Sequence, residues 1–214
     1  AGPEWLAQTP FTAAPASEVG QWAGVYNWPL IPIHTALLRT GQVLMFDGGT
    51  QPNIGGLTAV LWNPATNAFT NVPNNSTDLF CAGHSFLPDG RLLVAGGNVD
   101  LYIGLRDTNI FNPLNSTWSR VANMASPRWY PTTVTLGDGR ILAVSGSTNC
   151  NYCIPLNPEV YNPTANTWTT LNAPLSMTAT YPFLFVLPDG RVLMPGSDEE
   201  PMATYALNVA TQTW

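Results

Sequence analysis

Four short, unbroken apolar runs recur along the chain: Val43–Phe46, Leu92–Ala95, Ile141–Val144 and Val192–Met194. Each is shorter than a helix and rich in Val, Leu and Ile, which predicts strands buried on both faces. Asp89-Gly-Arg, Asp138-Gly-Arg and Asp189-Gly-Arg precede the last three, and Thr40-Gly-Gln precedes the first. An Asp-Gly pair between two apolar runs is the strongest short hairpin signal. Pairs of small residues follow the runs, such as Gly48-Gly49 and Gly96-Gly97, where backbones approach closely. A second phrase lies downstream: Leu61-Trp-Asn-Pro to Phe69, Ile110-Phe-Asn-Pro to Trp118, Val160-Tyr-Asn-Pro to Trp168, and a looser copy from Tyr205 to Trp214. Asn-Pro opens a turn, so two further strands follow each hairpin. The aromatic residue on the outer strand is expected to pack between neighbouring units. No helical period competes.

The turn glycines Gly41, Gly90, Gly139 and Gly190 are spaced by 49, 49 and 51 residues. A period near 50 with these turns is the kelch signature, which predicts an all-β fold of β-propeller blades. Blades one to three span about 34–73, 82–122 and 131–172, and a fourth starts near 181. Propellers close into rings of 4–8 blades. The expected organisation is an N-terminal segment 1–33 followed by blades one to four over 34–214, the first part of a larger ring. Gln21–Tyr26 reads as a ring-closing outer strand, with Trp22 in the outer-strand place. A half-ring exposes unpaired strand edges, so a cleaved remainder, a second polypeptide or another copy is expected to complete it.

Composition narrows the function. The net charge is −6, only 9% of residues are charged, and all seven basic residues are Arg. Such a chain has no basic stripe to follow a phosphate backbone, which argues against a nucleic-acid partner. No apolar run reaches membrane-span length. The 45% hydrophobic and 11% aromatic content supports a packed core. Solubility rests on Asn, Thr, Ser and Gln, a profile that suits an extracellular protein, as do the sequons at Asn74, Asn75 and Asn115. The chain opens Ala1-Gly2-Pro3 without Met, as a processed protein would.

Counting back nine residues from the turn glycines gives Cys81, Tyr130 and Tyr181; the longer first turn gives Ile31. These positions lead into the innermost strand of successive blades, which lines the central channel. Cys81 and Tyr130 are therefore expected at one height on adjacent blades. His34 and His84 lie three residues further on. His34 reads as a packed or hydrogen-bonded strand residue. His84 reads as the same, or as a partner of Cys81 or a pocket residue. Arg91, Arg140 and Arg191 repeat after the turn glycines, which argues for a structural role.

The stretches Leu79-Phe-Cys-Ala-Gly-His to Arg91 and Pro127-Arg-Trp-Tyr-Pro-Thr-Thr133 resemble the copper radical oxidases, the galactose oxidase and glyoxal oxidase family, and most closely its glyoxal-oxidase-like members. Val25-Tyr-Asn-Trp-Pro to Leu38 is similar to that group's propeller start. The resemblance implies a seven-bladed ring and a thioether between Cys81 and Tyr130, with Tyr130 as both copper ligand and radical site. It implies oxidation of primary alcohols, aldehydes or carbohydrates, with O2 reduced to H2O2. The family's second Tyr and two His ligands come from later blades and a C-terminal domain. No motif here matches them, so residues 1–214 alone are expected to be inactive. Galactose oxidase carries a Trp over the modified Tyr where this chain has Thr148. Trp129 is one replacement, although adjacent strand residues face opposite ways. Tyr181 is a candidate for the pocket entrance.

Cys150 and Cys153 leave Cys81 as the odd cysteine. For that pair a loop disulfide, free thiols and a metal knuckle all stay open, although zinc wants four ligands. Asp198-Glu199-Glu200 reads as a solvated loop, with a calcium site as the other reading. The second function class is a non-catalytic extracellular kelch module for binding or structure.

Overall fold

The computed structural model describes residues 14–22, 24–46, 58–176, 179–197 and 202–214. Gly48-Gly49 and the Asp198-Glu199-Glu200 cluster lie outside them. Among the described residues a single helical turn, α1 (Ala16–Val19), precedes strands only. Blade one comprises β1 (His34–Leu37), β2 (Val43–Phe46), β3 (Ala59–Asn63) and β4 (Ala68–Asn71). Blade two has β5 (Gly83–Phe86), β6 (Leu92–Ala95), a small hairpin β7 (Asn98–Asp100) and β8 (Ile103–Gly104), then β9 (Thr108–Asn112) and β10 (Thr117–Arg120). Blade three is β11 (Thr132–Thr135), β12 (Ile141–Val144), β13 (Glu159–Asn162) and β14 (Thr167–Thr170). Blade four is β15 (Phe185–Val186), β16 (Val192–Met194) and β17 (Tyr205–Leu207). Within each blade, strands pair antiparallel with their neighbours in chain order, β6 pairing with β9 past the small hairpin.

The apolar runs are the second strands, and those of blades two and three are buried on both faces. Leu92 and Val94 pack with Leu44, Phe46 and Leu61 of blade one. Leu93 and Ala95, pointing the other way, pack with Ile141 and Ala143 of blade three. Leu142 and Val144 meet Val192 and Met194 of blade four. Strand alternation thus sends one run into two inter-blade interfaces, which is why the run has no polar position. The outer tryptophans bind backwards: Trp118 Nε1 donates to Val72 O at 2.7 Å, Trp168 Nε1 to Thr108 Oγ1 at 3.0 Å and Trp214 Nε1 to Ala173 O at 3.0 Å.

The hairpins joining first to second strands have three-residue loops in all four blades, and the longer first turn expected above is absent. Leu38 N donates to Gln42 O at 2.8 Å, so Pro32, not Ile31, aligns with Cys81, and His34 aligns with Gly83 rather than His84. Leu87 N donates to Arg91 O at 2.8 Å and Gly90 N to Leu87 O at 2.9 Å, with the same pair of bonds around Gly139 and Gly190. The loop glycine takes a left-handed φ of 84° to 86° in these three blades, the geometry of a turn followed by a bulge. Each Asp receives its own Arg, as in Asp89 with Arg91 at 2.7 Å. These pairs are surface contacts that organise the loop. Innermost strands β5 and β11 are tied by Ser85 Oγ and Thr133 Oγ1 at 2.9 Å, and by Thr135 Oγ1 donating to Phe86 O at 2.7 Å.

Candidate functional site

Cys81, Tyr130 and Tyr181 all adopt left-handed backbone, with φ of 57°, 65° and 44°. For non-glycine residues this costs on the order of 1 kcal/mol each, and such strain clusters at functional sites. The three form a chain across blades: Tyr130 N donates to Cys81 O at 2.9 Å, and Tyr181 N donates to Tyr130 O at 2.9 Å. Their equal height is therefore enforced by the main chain.

The side chains converge as well. The Cys81 thiol is buried, and burial pushes its pKa up to about 11. Hydrogen bonds from the Tyr130 and Tyr181 hydroxyls oppose that rise by favouring the thiolate. The Trp129 indole N–H, which has no partner of ordinary hydrogen-bond geometry, adds a weaker push in the same direction. The Tyr130 and Tyr181 rings meet edge-to-face at 4.8 Å, and Tyr181 Oη donates to Ala82 O at 3.4 Å.

Trp129 lies over Tyr130, with ring centroids 4.2 Å apart and planes 38° apart. Strand alternation argued against this placement. The left-handed φ at Tyr130 breaks the alternation, because both residues precede β11 rather than belonging to it. Trp129 is buried and also meets Tyr102 at 5.6 Å. Thr148 instead donates from Oγ1 to Cys153 O at 2.8 Å. Cys150 and Cys153 are joined in a disulfide.

Tyr130 stands between two cavities. One, of about 530 Å³, is lined by Cys81, Tyr130, Tyr181, His34, His84 and Thr133, among others. The second, of about 330 Å³, is lined by Tyr102, Trp129, Tyr130, Ser147, Tyr152 and Thr180, among others. The two imidazoles meet edge-on at 5.5 Å, and His34 stacks on Phe46 at 4.8 Å. Burial, reinforced by His84, lowers the His34 pKa to about 3; burial lowers that of His84 too. Among the described residues no group of three or more His, Cys, Asp and Glu is placed to hold a metal.

Residues 56–212 match the family model for the N-terminus of glyoxal oxidase. The chain belongs to this glyoxal oxidase N-terminal family. No curated protein matches it. Among solved structures, this glyoxal oxidase N-terminal chain is similar to one described as a novel fungal alcohol oxidase with catalytic diversity among the AA5 family, in complex with copper. That similarity has a TM-score of 0.71 and 25% identity over 89% of this chain. It spans 44% of the oxidase's own length. The β-propeller fold and the copper radical oxidase family, an oxidoreductase family, thus agree with the reading of the repeats and of the Phe-Cys and Arg-Trp-Tyr-Pro motifs.

Sequence reasoning missed two features beside the site. One is the β7–β8 hairpin that carries Tyr102, signalled only by the long connection between Gly97 and Thr108. The other is a buried ion pair between Arg128 and Glu159. An acidic residue opening the otherwise apolar Glu159-Val-Tyr run was its one trace.

Proposed function

We propose that this chain is the propeller part of an extracellular copper radical oxidase in which Cys81 and Tyr130 join through a thioether. Blades one to four occupy 34–214, and segment 1–33 supplies a closing strand; Trp22 and Val25 are fully exposed, as unpaired members of such a strand would be. Later blades and a C-terminal domain would complete the ring and the ligand set. The observation that carries the reading is the convergence of a buried thiol with a hydrogen-bonded phenol, on adjacent blades locked by the Tyr130-to-Cys81 backbone bond.

The donors present fit this role in part: the Tyr130 oxygen suits copper, while among the described residues no group of three or more His, Cys, Asp and Glu is gathered to complete a ligand set. Copper bound there would supply a one-electron centre beside the ring. Burial keeps the Cys81 thiol protonated at neutral pH, so it meets the ring as a neutral group. Joining Cys81 Sγ to a Tyr130 ring carbon removes one hydrogen from each; dioxygen takes up these two electrons and two protons as hydrogen peroxide. The sulfur then donates into the phenol and eases its oxidation, while Trp129 covers one face. The exposed sequon residues Asn75 and Asn115 and the Cys150–Cys153 disulfide support an extracellular setting; Asn74 is buried.

The test is turnover by the full-length, copper-loaded protein with primary alcohols, aldehydes and sugars, following O2 uptake and H2O2 release. Matched uptake and release is expected. No copper uptake and no turnover across the panel would leave a non-catalytic kelch module.

A further inference from the structure

Arg128 and Glu159 are wholly buried, with Nη2 and Oε1 2.9 Å apart. The pair has further partners on the main chain. Arg128 Nη1 donates to Ser145 O at 2.7 Å and Nη2 to Asn157 O at 2.9 Å. Glu159 accepts from Ala125 N at 2.6 Å and from Ser126 N at 3.1 Å. It therefore clamps the approach to Trp129–Tyr130, the end of β12 and the start of β13 together. The main chain is gripped too. Arg128 N donates to Leu105 O, Gly97 N donates to Arg128 O, and Trp129 and Ser147 exchange both backbone bonds. A Cβ at Gly104 would come within 2.7 Å of the Arg128 backbone. The next residue is Tyr130.

The same station exists in other blades without charge. Strand register aligns Glu159 (opposite Ala143) with Asn109 (opposite Val94), Tyr205 (opposite Met194) and Val60 (opposite Met45). Two residues before Cys81 stands Leu79, and two before Tyr181 stands Ala179. Blades form with apolar or neutral groups here, so the fold does not require an ion pair. Burying two charges is seldom a gain over apolar packing. The blade that carries the charges is the one that carries Tyr130.

We propose that the Arg128–Glu159 pair is a positioning device that holds the Trp129–Tyr130 backbone so that the Tyr130 ring meets the Cys81 sulfur, an inference that rests on the thioether reading above. Neither residue touches the reacting atoms; both act through Tyr130. Linkage forms one C–S bond, removes the Sγ hydrogen and one ring hydrogen, and passes two electrons and two protons to dioxygen, giving hydrogen peroxide.

The test uses full-length protein made without copper, then given copper in air, with the Cys81–Tyr130 linked peptide quantified over time by mass spectrometry. Glu159→Gln keeps the shape and removes the charge; Arg128→Lys keeps the charge and removes the fork. Both are expected to fold, by near-ultraviolet circular dichroism, and to link about 10-fold more slowly than wild type, the lower end for a residue supporting a metal ligand. Leu142→Ala, a cavity in the same blade's core, is the control for general destabilisation and should link at the wild-type rate. Wild-type linkage rates in both folded variants overturn the proposal. So does failure of both to fold, which would make the pair a requirement of the blade. Slowing in Leu142→Ala equal to that in the variants overturns it as well. Absence of the linked peptide from wild type overturns the cofactor reading itself, and this inference with it.

Discussion

Acidification should destabilise this protein through His34. Its imidazole is buried on Phe46 and edge-on to His84, and Nε2 has no hydrogen-bond partner in the protein. Protonation would place an unsolvated cation beside a second imidazole, so the folded-state pKa falls from 6.5 to about 3. In the unfolded chain the same group titrates near 6.5. A depressed folded pKa contributes stability above 6.5, and that stability drains as pH falls towards 3, because the unfolded state binds the proton first. At pH 4.5 the gap is about 2 pH units, or about 3 kcal/mol at 1.36 kcal/mol per unit. For a chain of this size that lowers Tm by roughly 5–10 °C. His84 shifts in the same direction and adds to the loss. The assay is thermal and urea unfolding of metal-free protein from pH 7 to 4.5, wild type against His34→Gln. The variant starts less stable at pH 7, yet its stability should fall less steeply, by about 1.4 kcal/mol per pH unit between pH 6 and 4. Parallel curves for the two proteins would refute the reasoning.

Other outcomes follow from single sites. Cys81→Ser should leave a folded protein with no linked peptide and, under the proposed function, an oxidase activity lower by about 10–100-fold, the scale for a group tuning a metal ligand. Gly97 has a φ of 119°, and a Cβ there would run into the Asp78 carbonyl, so Gly97→Ala should cost about 2–4 kcal/mol in thermal unfolding. The Cys150–Cys153 disulfide closes a loop with a sequence separation of only 3. Replacing both by Ser should therefore cost at most about 2 kcal/mol, with Cys81–Tyr130 linkage unchanged.

The propeller was legible because each blade repeats a local instruction. Asp-Gly-Arg makes the turn in three blades and Thr-Gly-Gln in the first, three or four apolar residues make the second strand, and in blades one to three Asn-Pro to Phe or Trp makes the outer hairpin. Counting from turn glycines also aligned Cys81, Tyr130 and Tyr181, because the blades share one length from lead residue to turn. The left-handed φ at these three residues was not legible, since neither Cys nor Tyr favours it. Without that kink, alternation sends Trp129 away from Tyr130; with it, the indole covers the phenol. The Arg128–Glu159 pair was hidden for another reason: its members are 31 residues apart, and only strand register brings them together. The two histidines read as equivalent strand positions, but His34 pairs with Phe46 and His84 with Val94, one residue out of step relative to the turn glycines, so strand alternation turns their rings towards each other across the blades.

The central claim is that Cys81 and Tyr130 become one group. Peptide mapping and intact mass of the full-length protein, after copper loading in air, test it most directly. The account predicts a Cys81 peptide joined to the Tyr130 peptide with the loss of two hydrogens. Two separate, unmodified peptides from copper-loaded protein would contradict it.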